Sequence, residues 1–261
     1  MTLAEAAVAI LTAADPAEKV RLSRAAAEAW GTGMIIEVGR ADAPDRPARP
    51  TRPVLRAPRD MPRRRAGGAA GRVALLHAIA HIELNAIDLA WDLIARFGDG
   101  DWPRGFHDDW VRVGAEEAIH FGLLQDRLGE LGAAYGDLPA HDGLWEAAQA
   151  TARDPLARLA VVPLVLEARG LDVTPAMIEK LERLGDGASA AILRRIYTDE
   201  IGHVACGWRW FAFAAERAGL DPVPTWQRLV RQHYKGVLKP PFNDAARSTA
   251  GLDPASYAVL A

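Results

Sequence analysis

The chain has 261 residues, 50% of them hydrophobic, a formal net charge of −3 and a single cysteine, Cys206. Such a length and composition can bury one large core or two small ones and exclude a chain disordered overall. The charge gives no global attraction to nucleic acid or membrane, and one cysteine excludes an intramolecular disulfide or a thiolate metal cluster. A cytoplasmic setting without a membrane partner is expected. The alanine-rich residues 1–14 lack a basic leader and are interrupted by Glu5, and apolar stretches such as 157–166 fall short of the ~20 residues of a spanning helix.

In chain order, residues 2–30 predict two short helices, the second starting at Pro16 with Asp15 as its cap. Residues 40–72 change character. Pro44, Pro47, Pro50, Pro53, Pro58 and Pro62 alternate with Arg46, Arg49, Arg52, Arg56, Arg59, Arg63, Arg64 and Arg65, which excludes a helix or a central strand and predicts an extended strap. Five helical segments are then expected: 71–97, 107–131, 155–169, 174–184 and 187–218. Gly170 should stop the third, and Thr174-Pro175 should cap and restart the fourth. Residues 224–261 predict one more short helix and an irregular tail with Lys239-Pro240-Pro241. The fold class expected is all-α, with a lead-in and strap over 1–70, a four-helix bundle over 71–220 and a C-terminal segment over 221–261.

Two motifs share one form: Glu117-Ala118-Ile119-His120 on the second long helix and Glu200-Ile201-Gly202-His203 on the last. Residues three apart on a helix lie on one face, so each pair can present a carboxylate and an imidazole to one metal. Alone, either pair is a common accident. Bundle di-metal centres, however, take one Glu from each of two helices and Glu-x-x-His from each of the other two. Glu83 and Glu167 sit in otherwise apolar runs, where a carboxylate is costly unless paired or coordinated. The order is therefore Glu, Glu-x-x-His, Glu, Glu-x-x-His. Glu83 to Glu117 spans 34 residues and Glu167 to Glu200 spans 33, near-equal steps for two antiparallel pairs. Four carboxylates and two histidines suit two iron or manganese ions better than zinc.

Glu116 and Asp199 lie four residues before the same histidines and compete for the ligand role. His77 and His81 share a helix face apart from Glu83 and read as packing groups or as partners of ligands. His107, His141 and His233 read as loop or surface residues, and Cys206 as a small buried side chain. Tyr197 could line a cavity, and Arg169 could draw in an anionic substrate or simply neutralise carboxylates.

The runs HAIAHIEL (77–84), EEAIHF (116–121), LEARGLD (166–172) and DEIGHV (199–204), with the strap and the tail KPPFN (239–243), resemble the bacterial ferritin-like proteins of the DUF455 family. The resemblance covers most of the chain and selects the three-residue pairs over Glu116 and Asp199. It implies a ferritin-like fold and a di-iron site formed by Glu83, Glu117, His120, Glu167, Glu200 and His203. More distantly the chain is similar to di-iron hydroxylases that modify a tRNA adenosine side chain. The expected activity is O2-dependent oxidation or hydroxylation of a small molecule, with a non-enzymatic, iron-handling role as the alternative. An RNA partner would contact the strap arginines, although that segment lacks aromatic residues for base stacking.

Overall fold

The structure, a computed structural model, describes residues 1–57, 60, 61 and 68–261. Helices α1 (Leu3–Thr12), α2 (Pro16–Gly31), α3 (Gly68–Phe97), α4 (Arg104–Glu130), α5 (Gly143–Ala150), α6 (Pro155–Val161), α7 (Ala168–Arg183), α8 (Gly187–Arg217), α9 (Pro222–His233), α10 (Asp244–Thr249) and α11 (Pro254–Tyr257) account for most of them. A π segment, Val162–Glu167, joins α6 to α7, and a 3-10 turn, Ala258–Leu260, follows α11. The class is all-α, as the sequence predicts; the described residues form no strand beyond an isolated bridge between Leu55 and Ala140. Two compact units divide the chain, Met1–Glu146 and Ala147–Ala261.

In the first unit the predicted cap Asp15 is in place, and the structure adds one on α1. Thr2 and Glu5 form a reciprocal capping box on α1, and the Asp15 carboxylate accepts from the Ala17 N–H at 3.0 Å ahead of Pro16. The α3–α4 pair forms the centre of this unit. The two helices meet at Gly114, where a Cβ would lie 2.7 Å from the Trp91 indole nitrogen. Leu84, Ile87, Trp91 and Ile94 of α3 and Phe106, Val113, Phe121 and Leu124 of α4 are fully or almost fully buried, each such side chain contributing roughly 1.5–3 kcal/mol.

From Glu83 to Ala95 every residue of α3 is buried. This makes α3 the one described helix long and apolar enough to cross a membrane, yet 67% of that apolar stretch is buried in the protein, as in a core helix. Polar groups on so buried a helix need partners. Lys19 reaches Asp88 at 2.6 Å and donates to the Ile10 and Leu11 carbonyls at the end of α1. Arg49 meets Asn85 at 2.7 Å and Asp88 at 3.1 Å, while Asp92 binds Arg96, which also donates to the Pro44 carbonyl. The strap is thus tied to α3 by charge as well as by its prolines. Arg59, Arg63, Arg64 and Arg65, with Pro58 and Pro62, lie outside the described residues.

The second unit departs from expectation in three places. Helix does not stop at Gly170: it runs from Pro155 to Arg183, and its irregularity falls earlier, at the π segment. Pro163 offers no N–H to the Leu159 carbonyl and its ring crowds it, so the turn widens and the Ala168 N–H bonds the Pro163 carbonyl five residues back. Thr174 and Pro175 lie inside α7 rather than at its start. The carbonyl that Pro175 leaves without a helical partner, Leu171, accepts from the Asn243 side-chain amide at 3.1 Å. Gly170 alone costs a helix only ~1 kcal/mol and is no stop signal. Finally, Pro222 begins α9 under an Asp221 cap, and the tail adds two short helices after it. Helix α5, at the boundary between the units, is also absent from the sequence reading.

Candidate metal centre

Helix α3 supplies Glu83 and α4 supplies Glu117 and His120. On α4 the buried positions Trp110, Val113, Gly114, Glu117, Ala118, Phe121 and Leu124 repeat at the helical period, so the Glu-x-x-His pair falls on the stripe that faces inward. Glu117 and His120 are fully buried and Glu83 is 3% exposed. The imidazole Nδ1 of His120 lies 3.3 Å from a Glu83 oxygen and 3.4 Å from a Glu117 oxygen. One ligand atom from each of the three lies within 4.8 Å of the others. Three hard or borderline donors this close, on two packed helices, are a set that a divalent cation fits.

The electrostatics point the same way. Burial, then the neighbouring Glu117 charge, pushes the Glu83 carboxyl well above the usual carboxylate range, against the lowering influence of His120. Burial works to lower the His120 pKa, but its bonds to Glu117 and Glu83 outweigh that and carry it up to about 11. Two carboxylates brought out of water are relieved by a positive charge between them or by a proton on one of them.

The second unit repeats the pattern on α8. His203 is fully buried, Glu200 is 9% exposed, and His203 Nδ1 lies 3.7 Å from a Glu200 oxygen. Glu167, half-buried, is the last residue of the π segment. Gly207 lets α8 lie directly on Pro163, since a Cβ there would collide with the proline ring.

The competing acids have other partners on their own helices: Glu116 pairs with Arg112 at 2.9 Å and Asp199 with Arg195 at 2.5 Å. His81 is bonded to the Tyr135 hydroxyl and the His141 carbonyl, and burial pulls its pKa down to about 4. His77 accepts the Gly136 N–H at 2.9 Å, and both imidazoles stack on Tyr135. At ~100° per residue His81 and Glu83 point ~200° apart, so these histidines hold the residue 135–141 loop. His107 is not a surface group: it is 3% exposed and bonds the Gly98 carbonyl, tying the start of α4 to the turn before it. Cys206 is buried. The Tyr197 hydroxyl accepts from Asn243 at 2.9 Å, and Arg169 donates to the Lys239 carbonyl at 2.6 Å and the Pro241 carbonyl at 3.2 Å. Both candidate catalytic residues therefore anchor the C-terminal tail.

The family model described as a protein of unknown function, DUF455, matches residues 12–258. The chain belongs to this family. A Haemophilus influenzae protein described as uncharacterized is 45% identical over 204 residues, covering 76% of this chain and 71% of that relative. No solved structure matches the chain. The close approaches at Gly114 and Gly207 escape sequence reading because they depend on what lies opposite.

Proposed function

We propose that this chain is a ferritin-like, four-helix di-metal carboxylate protein that uses O2 to oxidise or hydroxylate a small substrate. Glu83, Glu117 and His120 form one ligand set, Glu167, Glu200 and His203 the other, and together they hold two iron ions, with manganese the competing metal. The observation that carries this reading is the buried cluster of Glu83, Glu117 and His120. Support for a second ligand set comes from the repeated order of Glu and Glu-x-x-His along the chain.

A reduced iron pair would supply the electrons for O2 activation. The side chains have separate tasks. Four carboxylates balance two divalent charges, the apolar residues around Glu83 and Glu117 exclude water, and helix-borne histidines fix ligand geometry. Glu167, on a π turn, belongs to the kind of local irregularity that recurs at functional sites.

The test is metal analysis of protein purified without chelator, followed by stopped-flow absorbance when O2 meets the Fe(II) form. About two metals per chain are expected, falling sharply in Glu117→Ala and His120→Ala. Less than one equivalent under iron-replete conditions, unaltered by those substitutions, rejects the metal centre. Full metal loading with no O2-dependent absorbance change rejects the oxidase reading alone.

A further inference from the structure

The second unit contains a cavity of about 170 Å3 lined by both charged and apolar side chains, among them Arg169, Asp172, Lys239, Arg247, Val165 and Phe242. It is smaller than the ~300 Å3 at which pockets for drug-sized molecules begin, so its ligand must be small.

Arg247 dominates its chemistry. The residue is 1% exposed, and its guanidinium lies 5.1 Å from the Phe242 ring centroid and 4.7 Å from that of Tyr257. Nε and Nη2 grip the Asp172 carboxylate at 2.8 and 2.7 Å. The remaining terminal nitrogen, Nη1, is buried and has no hydrogen-bond acceptor among the described residues. Asp172 is itself fully engaged, accepting also from the Asn243 N–H at 3.0 Å and from Arg169 at 3.3 Å.

The wall therefore combines three cations with one carboxylate already shared, a surplus of two positive charges. A buried charged donor without an acceptor is costly, and an oxyanion satisfies it with a charge-assisted bond. A surplus of two matches a dianion better than a single carboxylate. We propose that this cavity binds a small oxyanion of the phosphate class, free phosphate or the phosphate of a small phosphomonoester. Arg247 Nη1 is the buried donor, and Lys239 and Arg169 are the flanking charges. The proposal does not depend on the metal centre.

Titration calorimetry of the full chain tests it, in excess EDTA at constant ionic strength, with inorganic phosphate, phenyl phosphate and acetate as probes. Saturable phosphate binding is expected, with acetate about tenfold weaker or worse. Tighter binding of phenyl phosphate than of inorganic phosphate assigns the site to an organic phosphomonoester; equal or weaker binding assigns it to free phosphate. Lys239→Ala and Arg247→Lys should each weaken phosphate by about tenfold or more. Lys239 is exposed, so its variant decides the matter even if Arg247→Lys fails to fold. No saturable heat from either phosphate probe up to about 10 mM, or binding left unchanged by a folded variant, overturns the site.

Discussion

The two units carry the same pattern, a Glu and a Glu-x-x-His, on different scaffolds. In the first, Glu83, Glu117 and His120 stand on unbroken α-helices, and the far face of α3 is fastened by a buried ionic network. In the second, Glu167 ends a π segment, and α7 is tied to the tail through Asp172, Arg247 and Asn243. Both use a glycine pressed against a bulky neighbour, Gly114 on Trp91 and Gly207 on Pro163. One scaffold is fixed by charge pairing deep in a helix pair, the other by tail contacts and a locally widened turn. A ligand motif thus specifies donors and their spacing, while stiffness is set by what lies behind the helix.

The largest expected effect strikes the first scaffold. Lys19 and Asp88 are both fully buried, and burial lowers the lysine pKa while it raises that of the carboxyl. Lys19→Met removes the charge facing Asp88 and leaves the α1 carbonyls of Ile10 and Leu11 without their donor. A loss of about 3–5 kcal/mol is expected, read by urea denaturation, because a buried charge has lost a partner. Adding Asp88→Leu should recover most of it. A single variant as stable as the parent would show that Arg49 suffices to hold Asp88.

Next in size come the two glycines. Gly114→Ala forces a Cβ against the buried Trp91 indole, and about 1–3 kcal/mol should be lost to overpacking. Trp91→Leu in the same chain should restore part of this, since it removes the indole atoms that the Cβ meets. Gly207→Ala meets the proline ring instead, with a similar cost but no comparable rescue. Equal non-additivity in this pair and in Gly207→Ala with Pro163→Ala would erase the distinction between the two contacts.

How far these features can be read from sequence follows the range of the forces involved. Helix starts at Pro16 and near Gly187, the cap Asp15, and the paired Glu-x-x-His spacing depend on neighbours a turn away, and they are legible. Glu83 is legible because a lone acid in an apolar run implies burial. The placement of Pro175 and Gly170 inside α7 is not, because Asn243, some seventy residues on, takes the carbonyl that proline leaves. His107 resembles a loop residue until the Gly98 carbonyl appears beside it. The π segment could have been suspected from Pro163 within a strongly apolar helical run, but a kink and a π turn leave the same trace in sequence.

Pro163 also separates structural from functional irregularity. Pro163→Ala returns a backbone donor, so stability should rise by about 1–3 kcal/mol, the interior-proline penalty being ~3. If the widened turn serves Glu167, metal content should fall even as the melting temperature climbs. A variant that is more stable and binds metal as before would mean that the π segment is only the trace of a proline.

The smallest effect tests how the tail supports α7. Asn243→Ala removes the amide that bonds the Leu171 carbonyl and the Tyr197 hydroxyl, and with it the cap on α10. About 1–2 kcal/mol should be lost, combining one cap and modest net hydrogen-bond terms. Pro175→Ala supplies the helix with its own donor for Leu171. In that background Asn243→Ala should cost less, by roughly the ~1 kcal/mol of one hydrogen bond. A double-mutant cycle by thermal denaturation measures the coupling. Strict additivity would show that the amide stabilises α10 alone, and that α7 tolerates its internal proline without help from the tail.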